Sequence, residues 1–113
     1  MMSTSIIKEL YEKIVLHYQR WYSTPTNVIE RDIVKIMNRE GVSRTEAIHL
    51  LYKRIYGELP TKTENLENEL REYREYLEKL DELYRRGELS EKVYKILKKY
   101  YINRIEKIQS KKK

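Results

Sequence analysis

Cysteine is absent from this chain of 113 residues, which excludes disulfides, thiolate zinc sites and a cysteine nucleophile. Stability must therefore come from packing. Phenylalanine is missing too, and only three glycines and two prolines occur, so turns are few and helices long. No apolar run approaches the roughly 20 residues that a bilayer span needs. The opening stretch MMSTSIIKEL also lacks a basic region followed by an apolar one. These absences predict a cytosolic protein with no membrane partner.

What is present is charge and tyrosine. Hydrophobic residues make up 40% of the chain, charged residues 37%, and eleven tyrosines supply nearly all the aromatic surface. The chain is too apolar for wholesale disorder. It is long enough for one domain, or for a small domain with an appended helical hairpin, burying roughly two-thirds of its unfolded surface. Abundant Lys, Glu, Arg, Ile and Tyr is the balance expected of a hyperthermophile, and an archaeal source or one of its viruses or plasmids fits it. The formal net charge of +6 permits an anionic partner, although that much charge is also ordinary solubility.

Helical punctuation divides the sequence into five segments and predicts an all-α fold. A first helix, from about Ser5 to Tyr22, repeats Ile7, Leu10, Ile14, Tyr18 and Trp21 at steps of three and four. Ser23-Thr24-Pro25-Thr26-Asn27 stops it. A second helix starts near Asn27, whose side chain caps it while Glu30 reaches back, and its inner stripe is Ile29, Ile33, Ile36 and Met37. Gly41 suits the left-handed position just past its end. A third helix opens on the capping box Ser43-Arg44-Thr45-Glu46, buries Ala47, Ile48, Leu51 and Ile55, and is closed by Gly57 and Pro60. Short connections predict that these three pack as a bundle over residues 1–60.

Residues 61–109 read as a long antiparallel helical hairpin of coiled-coil character. From about Thr63 to Arg86, Leu66, Leu70, Tyr73, Leu77, Leu80 and Tyr84 step by 4, 3, 4, 3, 4, a heptad seam on a helix about 36 Å long. The fifth helix, Ser90 to about Gln109, offers Val93, Tyr94, Leu97, Tyr101, Ile105 and Ile108. Gly87 is the C-cap between them, Ser90 the next N-cap, and Leu89 a staple against Tyr94. Charge agrees: residues 61–87 carry six basic and eight acidic side chains, residues 88–113 nine basic and three acidic. Exposed pairs contribute only about 0 to 1 kcal/mol each, against roughly 1.5 to 3 kcal/mol for burying a seam residue, so the apolar stripe decides the pairing. Ser110-Lys111-Lys112-Lys113 read as a disordered basic tail.

Catalytic chemistry finds no footing. His17 and His49 lie on different helices without an acid motif, and no glycine-rich phosphate loop, H-E-x-x-H or G-x-S-x-G occurs. Paired carboxylates need a pocket to shift their acidities, which a heptad seam does not offer. The expectation is a non-enzymatic protein without metal or cofactor.

Residues Ile33 to Ile48, with Gly41-Val42-Ser43-Arg44-Thr45-Glu46-Ala47-Ile48 at their centre, resemble the helix, G-V-S-R turn and second helix of small DNA-binding regulators. They are similar to the ribbon-helix-helix family in particular. The resemblance implies that the helix N-terminus anchors a phosphate. That family's base-reading strand is not carried over, because an amphipathic helix precedes the second helix here. A helix-turn-helix reads DNA with its second helix instead. On that reading Arg44, Thr45, His49 and Lys53 face a groove, and Ser43 with the first amides meets a phosphate. Residues 77–98, a leucine helix, a Gly87-Glu88-Leu89-Ser90 turn and a Tyr94-to-Lys98 stretch, resemble the short helical hairpins called SHOCT domains. That resemblance implies oligomerisation, and the heptad seam with its matching stripe names the residues expected to carry it: Leu66, Leu70, Tyr73, Leu77, Leu80, Tyr84, Leu97 and Tyr101. Lys92, Lys95, Lys98, Lys99, Arg104 and Lys107, interleaved with Tyr100 and Tyr101, read either as an anion-binding stripe or as a solvated face.

The leading expectation is a homodimeric, transcription-regulator-like protein that binds double-stranded DNA. The alternative is an interaction or scaffold module that uses the seam and its tyrosines to bind a protein partner, as a viral or plasmid accessory protein does.

Overall fold

The computed structural model describes residues 2–57 and 66–111, and among these residues the fold is all-α, with no strand. Its helices are α1 (Met2–Tyr18), α2 (Pro25–Glu40), α3 (Arg44–Gly57), α4 (Leu66–Arg85) and α5 (Glu91–Lys111). The chain forms two compact units, Met1–Leu59 and Pro60–Lys113. The expected stop at Pro60 and start at Thr63 lie outside the described residues. No helix among the described residues is long and apolar enough to cross a membrane.

In the first unit, α1 buries Ile6, Leu10, Ile14 and Tyr18. The face is displaced one residue at its start from the expected Ile7, which is half-buried. Trp21 does not belong to that face. After Tyr18 the chain tightens, with the Trp21 and Tyr22 amides both donating to the Tyr18 carbonyl at 3.0 Å, and Trp21 is left 72% exposed. The second helix begins two residues before Asn27, with Pro25 in its first turn, Thr24 as N-cap and no side-chain cap bond. Proline fits there because its fixed φ is helical and the N–H it lacks has no partner at that position. Asn27 is therefore inside α2, and Glu30 is free to turn elsewhere.

Ile29, Ile33 and Ile36 are the buried row of α2. Gly41 ends the helix at φ 65°, and the Gly41 and Val42 amides both donate to the Met37 carbonyl, at 2.9 and 3.3 Å. The capping box of α3 forms as written: the Glu46 amide donates to Ser43 Oγ at 3.2 Å, and the Ser43 amide donates to Glu46 Oε1 at 3.1 Å. Ser43→Ala removes one half of that exchange, so it should lower stability by about 1 kcal/mol in urea unfolding. The third helix packs on both α1 and α2. Ala47, Ile48, Leu51 and Ile55 are buried, and so are Glu46 and His49. Four consecutive buried positions, 46 to 49, cover most of a helical turn. Beyond its exposed first residue Arg44, the first half of α3 is therefore largely enclosed.

In the second unit α4 and α5 pack along each other. Leu70, Leu80, Leu83, Leu89, Val93, Leu97, Tyr101 and Ile108 form the core. The turn is set by Gly87 at φ 81°. Its amide donates to the Tyr84 carbonyl and the Glu88 amide to the Leu83 carbonyl, both at 3.0 Å. This double closure needs a left-handed residue. Replacing Gly87 by Ala should cost about 1 to 2 kcal/mol, read as a lower urea midpoint. Ser90 Oγ accepts from the Val93 amide at 3.4 Å and opens α5. That helix runs to Lys111, so Ser110 and Lys111 are helical rather than part of a disordered tail. Lys112 and Lys113 lie outside the described residues.

Candidate nucleic-acid interface

Two matching nodes hold the first unit together by joining tyrosines of α1 to acids of α2. In one, the Tyr11 hydroxyl donates to Glu30 Oε2 at 2.6 Å, while Arg44 of α3 grips the same carboxylate with both terminal nitrogens, at 2.6 and 2.9 Å. A two-pronged guanidinium–carboxylate contact fixes orientation as well as charge. The Arg44 fork, followed by the Tyr11 hydroxyl, holds the Glu30 carboxyl below the usual carboxylate range. Burial, followed by the adjacent Glu30 carboxylate, pushes the Tyr11 hydroxyl up to about 12. In the other node the Tyr18 hydroxyl donates to Asp32 Oδ2 at 2.7 Å. Burial and then Asp32 raise Tyr18 to about 12, against the opposing charge of Arg54. Tyr11 and Tyr18 sit seven residues apart, two turns of α1, which brings both hydroxyls to one side of that helix.

Of the residues expected to face a groove, Arg44 is clasped by Glu30. Ser43 is engaged in its capping box, Thr45 is half-buried, and Lys53 is half-buried as well. His49 is 0% exposed, so it does not reach a base edge. Burial, with Glu46 opposing, pushes its imidazole down to about 4, which keeps it neutral at physiological pH. The burial pattern of α3 accounts for this: positions 46 to 49 are all buried, and only Arg44 and Arg54 among its described side chains are exposed.

An outward face of α2 stays free. By sequence this helix is charge-balanced, with Glu30, Asp32 and Glu40 against Arg31, Lys35 and Arg39. In the fold the two signs separate. Glu30 and Asp32 turn into the tyrosine nodes, whereas Arg31, Lys35 and Arg39 are exposed at steps of four, with Asn27, Val34 and Asn38 beside them. Arg39 contacts its neighbour Glu40 at 3.1 Å. Among the described residues no carboxylate engages Arg31 or Lys35. The three cations make a ridge about 12 Å long at 1.5 Å per residue.

In the second unit, most of the residues expected to carry oligomerisation lie between α4 and α5 of one chain. Leu70, Leu80, Leu97 and Tyr101 are buried in the hairpin, and Tyr73 and Leu77 are half-buried. The side chain of Leu66 lies outside the described residues. Tyr84 is 38% exposed while Leu83 takes the core position. The seam drifts because a straight helix turns 3.6 rather than 3.5 residues per turn. Tyr84 instead stacks on Tyr94, ring centroids 4.3 Å apart at 6°. Tyr94 donates to Asp81 and accepts from Lys98 at 3.0 Å. Tyr73 and Tyr76 lie against Tyr101, at 5.6 and 4.8 Å between centroids.

The basic stripe of α5 is partly engaged in the same way. Lys98 lies 3.7 Å from Asp81, Lys95 pairs with Glu91 at 2.9 Å, and Arg104 sits 6.0 Å over the Tyr73 ring. With Leu70, Leu80, Leu97 and Tyr101 covered inside one chain, the protein should scatter light as a monomer at micromolar concentration. A dimer there would show that a surface other than this seam pairs the chains. Among the described residues no group of three or more His, Asp or Glu side chains gathers as a metal site would. No family model matches the chain, and neither a curated protein nor a solved structure does.

Proposed function

We propose that this protein binds nucleic acid through the outer face of α2. The observation that carries the reading is the separation of charge on that helix: Glu30 and Asp32 are turned into the Tyr11 and Tyr18 nodes, and Arg31, Lys35 and Arg39 form an outward ridge on which only Glu40 remains, beside Arg39. Such a row suits a regularly spaced polyanion, since each phosphate it meets releases condensed counterions. Backbone contacts of this kind position a protein without reading sequence, so the expected binding is general rather than site-specific. The α3 helix serves as the scaffold that holds α2 in place, with Arg44 as its clasp.

Fluorescence anisotropy with labelled random-sequence oligonucleotides tests this directly. Binding should be clear at low salt and weaken with a log–log slope of about 0.7 to 0.9 for each phosphate contacted. Absence of binding to both single and double strands at low salt would defeat the reading. A second arm separates α2 from α3: Arg44→Met should leave affinity nearly unchanged, within about twofold. Its exposed ion pair with Glu30 is worth only about 0 to 1 kcal/mol of stability.

A further inference from the structure

The ridge on α2 does not stand alone. The turn after α1 presents Trp21 and Tyr22, two large aromatic side chains left exposed on a unit whose other aromatic residues mostly bond or pack. They sit at a defined place. The Tyr22 ring lies 5.5 Å from the Tyr18 ring, and the Tyr18 hydroxyl is bonded to Asp32 on α2. Round the axis of α2, at about 100° per residue, Lys35 and Arg39 stand only about 60° and 20° from Asp32. The Tyr22 ring, Lys35 and Arg39 therefore share one side of the unit, with Arg31 about 100° from Asp32 at its margin and exposed Arg20 and Trp21 just before Tyr22 in the chain.

That combination points away from a duplex. In a duplex the faces of the bases are covered by their neighbours, and inserting a side chain between them costs a few kcal/mol of unstacking. A single strand offers its base faces freely, and aromatic rings beside a positive track are how such strands are held without sequence preference. Electrostatics alone is modest here, because residues 1–60 carry nine basic and seven acidic side chains. Stacking supplies what three cations do not. The geometry points to a single-stranded nucleic acid as the ligand, its backbone along Arg31, Lys35 and Arg39 and a base stacked on Trp21. This deepens, and rests on, the assignment of α2 as the nucleic-acid face.

Trp21 is the one tryptophan of the chain, so its fluorescence reports the contact without a label. Titration with oligothymidylate at low salt should quench that emission, and a duplex of equal length should bind more weakly and quench little. Trp21→Ala should weaken single-strand binding about tenfold, and Trp21→Phe, which keeps an aromatic face, should recover most of the loss. Because Trp21 is so exposed, unchanged circular dichroism of both variants is expected and separates stacking from misfolding. Tighter binding to the duplex, or single-strand binding with Trp21 emission unchanged, overturns the single-strand assignment while leaving α2 as a nucleic-acid face. No binding of either form overturns both.

Discussion

Reversing two charges on α2, Arg31→Glu together with Lys35→Glu, is expected to lower nucleic-acid affinity on the order of a hundredfold near 50 mM salt. It should also flatten the salt dependence by about 1.4 to 1.8 in log–log slope. The magnitude follows from two phosphates left without a cation, each worth about 0.7 in slope on single strands and 0.9 on duplexes. Folding should be spared, because both side chains are exposed and no carboxylate among the described residues engages them. Circular dichroism and a urea titration check that premise. The same reversal at Arg44 breaks a node that joins α2 to α3, so its effect should appear in stability rather than in salt slope. A wild-type slope in the doubly reversed variant would remove α2 from the interface.

Acid should destabilise the first unit well before its carboxylates protonate. Unfolded, His49 takes a proton near its ordinary 6.5; folded, it stays neutral down to about 4 because burial outweighs the attraction of Glu46. As the pH falls between those values the unfolded chain binds the proton and the folded chain does not. The contribution is therefore full above pH 6.5, is lost progressively from 6.5 to 4, and changes little below that. A gap of this size corresponds to about 3 kcal/mol. Urea unfolding at pH 7 and at pH 4.5 reads most of it, and His49→Leu should flatten the slope in that window. The imidazole proton resonances of the wild type give a second reading: a midpoint near 6.5 would contradict the buried, neutral assignment. Glu30 adds a separate loss at lower pH. Its carboxyl is held below the usual range by Arg44 and Tyr11, so its contribution is present above the unfolded carboxylate value and disappears as the pH falls through the folded one.

The parts of this protein that can be read from its sequence are those set by local chemistry. The Ser43–Glu46 capping box, the left-handed Gly41 and Gly87, and the Ile29, Ile33 and Ile36 row depend on residues within a turn or two of each other. His49 illustrates what periodicity misses. A single apolar stripe on α3 presupposes one covered face, and a helix wedged between two others has more than one, so a residue off the stripe still ends up at 0% exposure. Trp21 departs for the opposite reason, since it extends the α1 pattern in sequence but the chain leaves the helix after Tyr18.

The candidate interface is hidden by sums. Counted along the sequence α2 is neutral, and the resemblance of its neighbouring turn to DNA-binding regulators points to α3 instead. Only the three-dimensional pairing of Glu30 and Asp32 with tyrosines of α1 reveals which charges remain facing water. A signal is present nonetheless: Arg31, Lys35 and Arg39 recur every four residues, the first two away from the isoleucine row and the third drifting to its edge, and Tyr11 and Tyr18 recur every seven on α1. Residues 66 to 84 show a further limit. Their seam is legible as apolar, but whether it is covered by its own chain depends on the Gly87 turn and on the tyrosine contacts of Tyr94 and Tyr101 with α4.

Amide chemical-shift mapping of the labelled protein on adding a short oligonucleotide tests the central claim most directly. Resonances of Trp21, Arg31, Lys35 and Arg39 should move in step with the titration, while those of Ala47, Ile48 and His49 in the interior of α3 stay in place. Shifts concentrated on the start of α3, at Ser43, Arg44 and Thr45, with α2 unmoved, would contradict it.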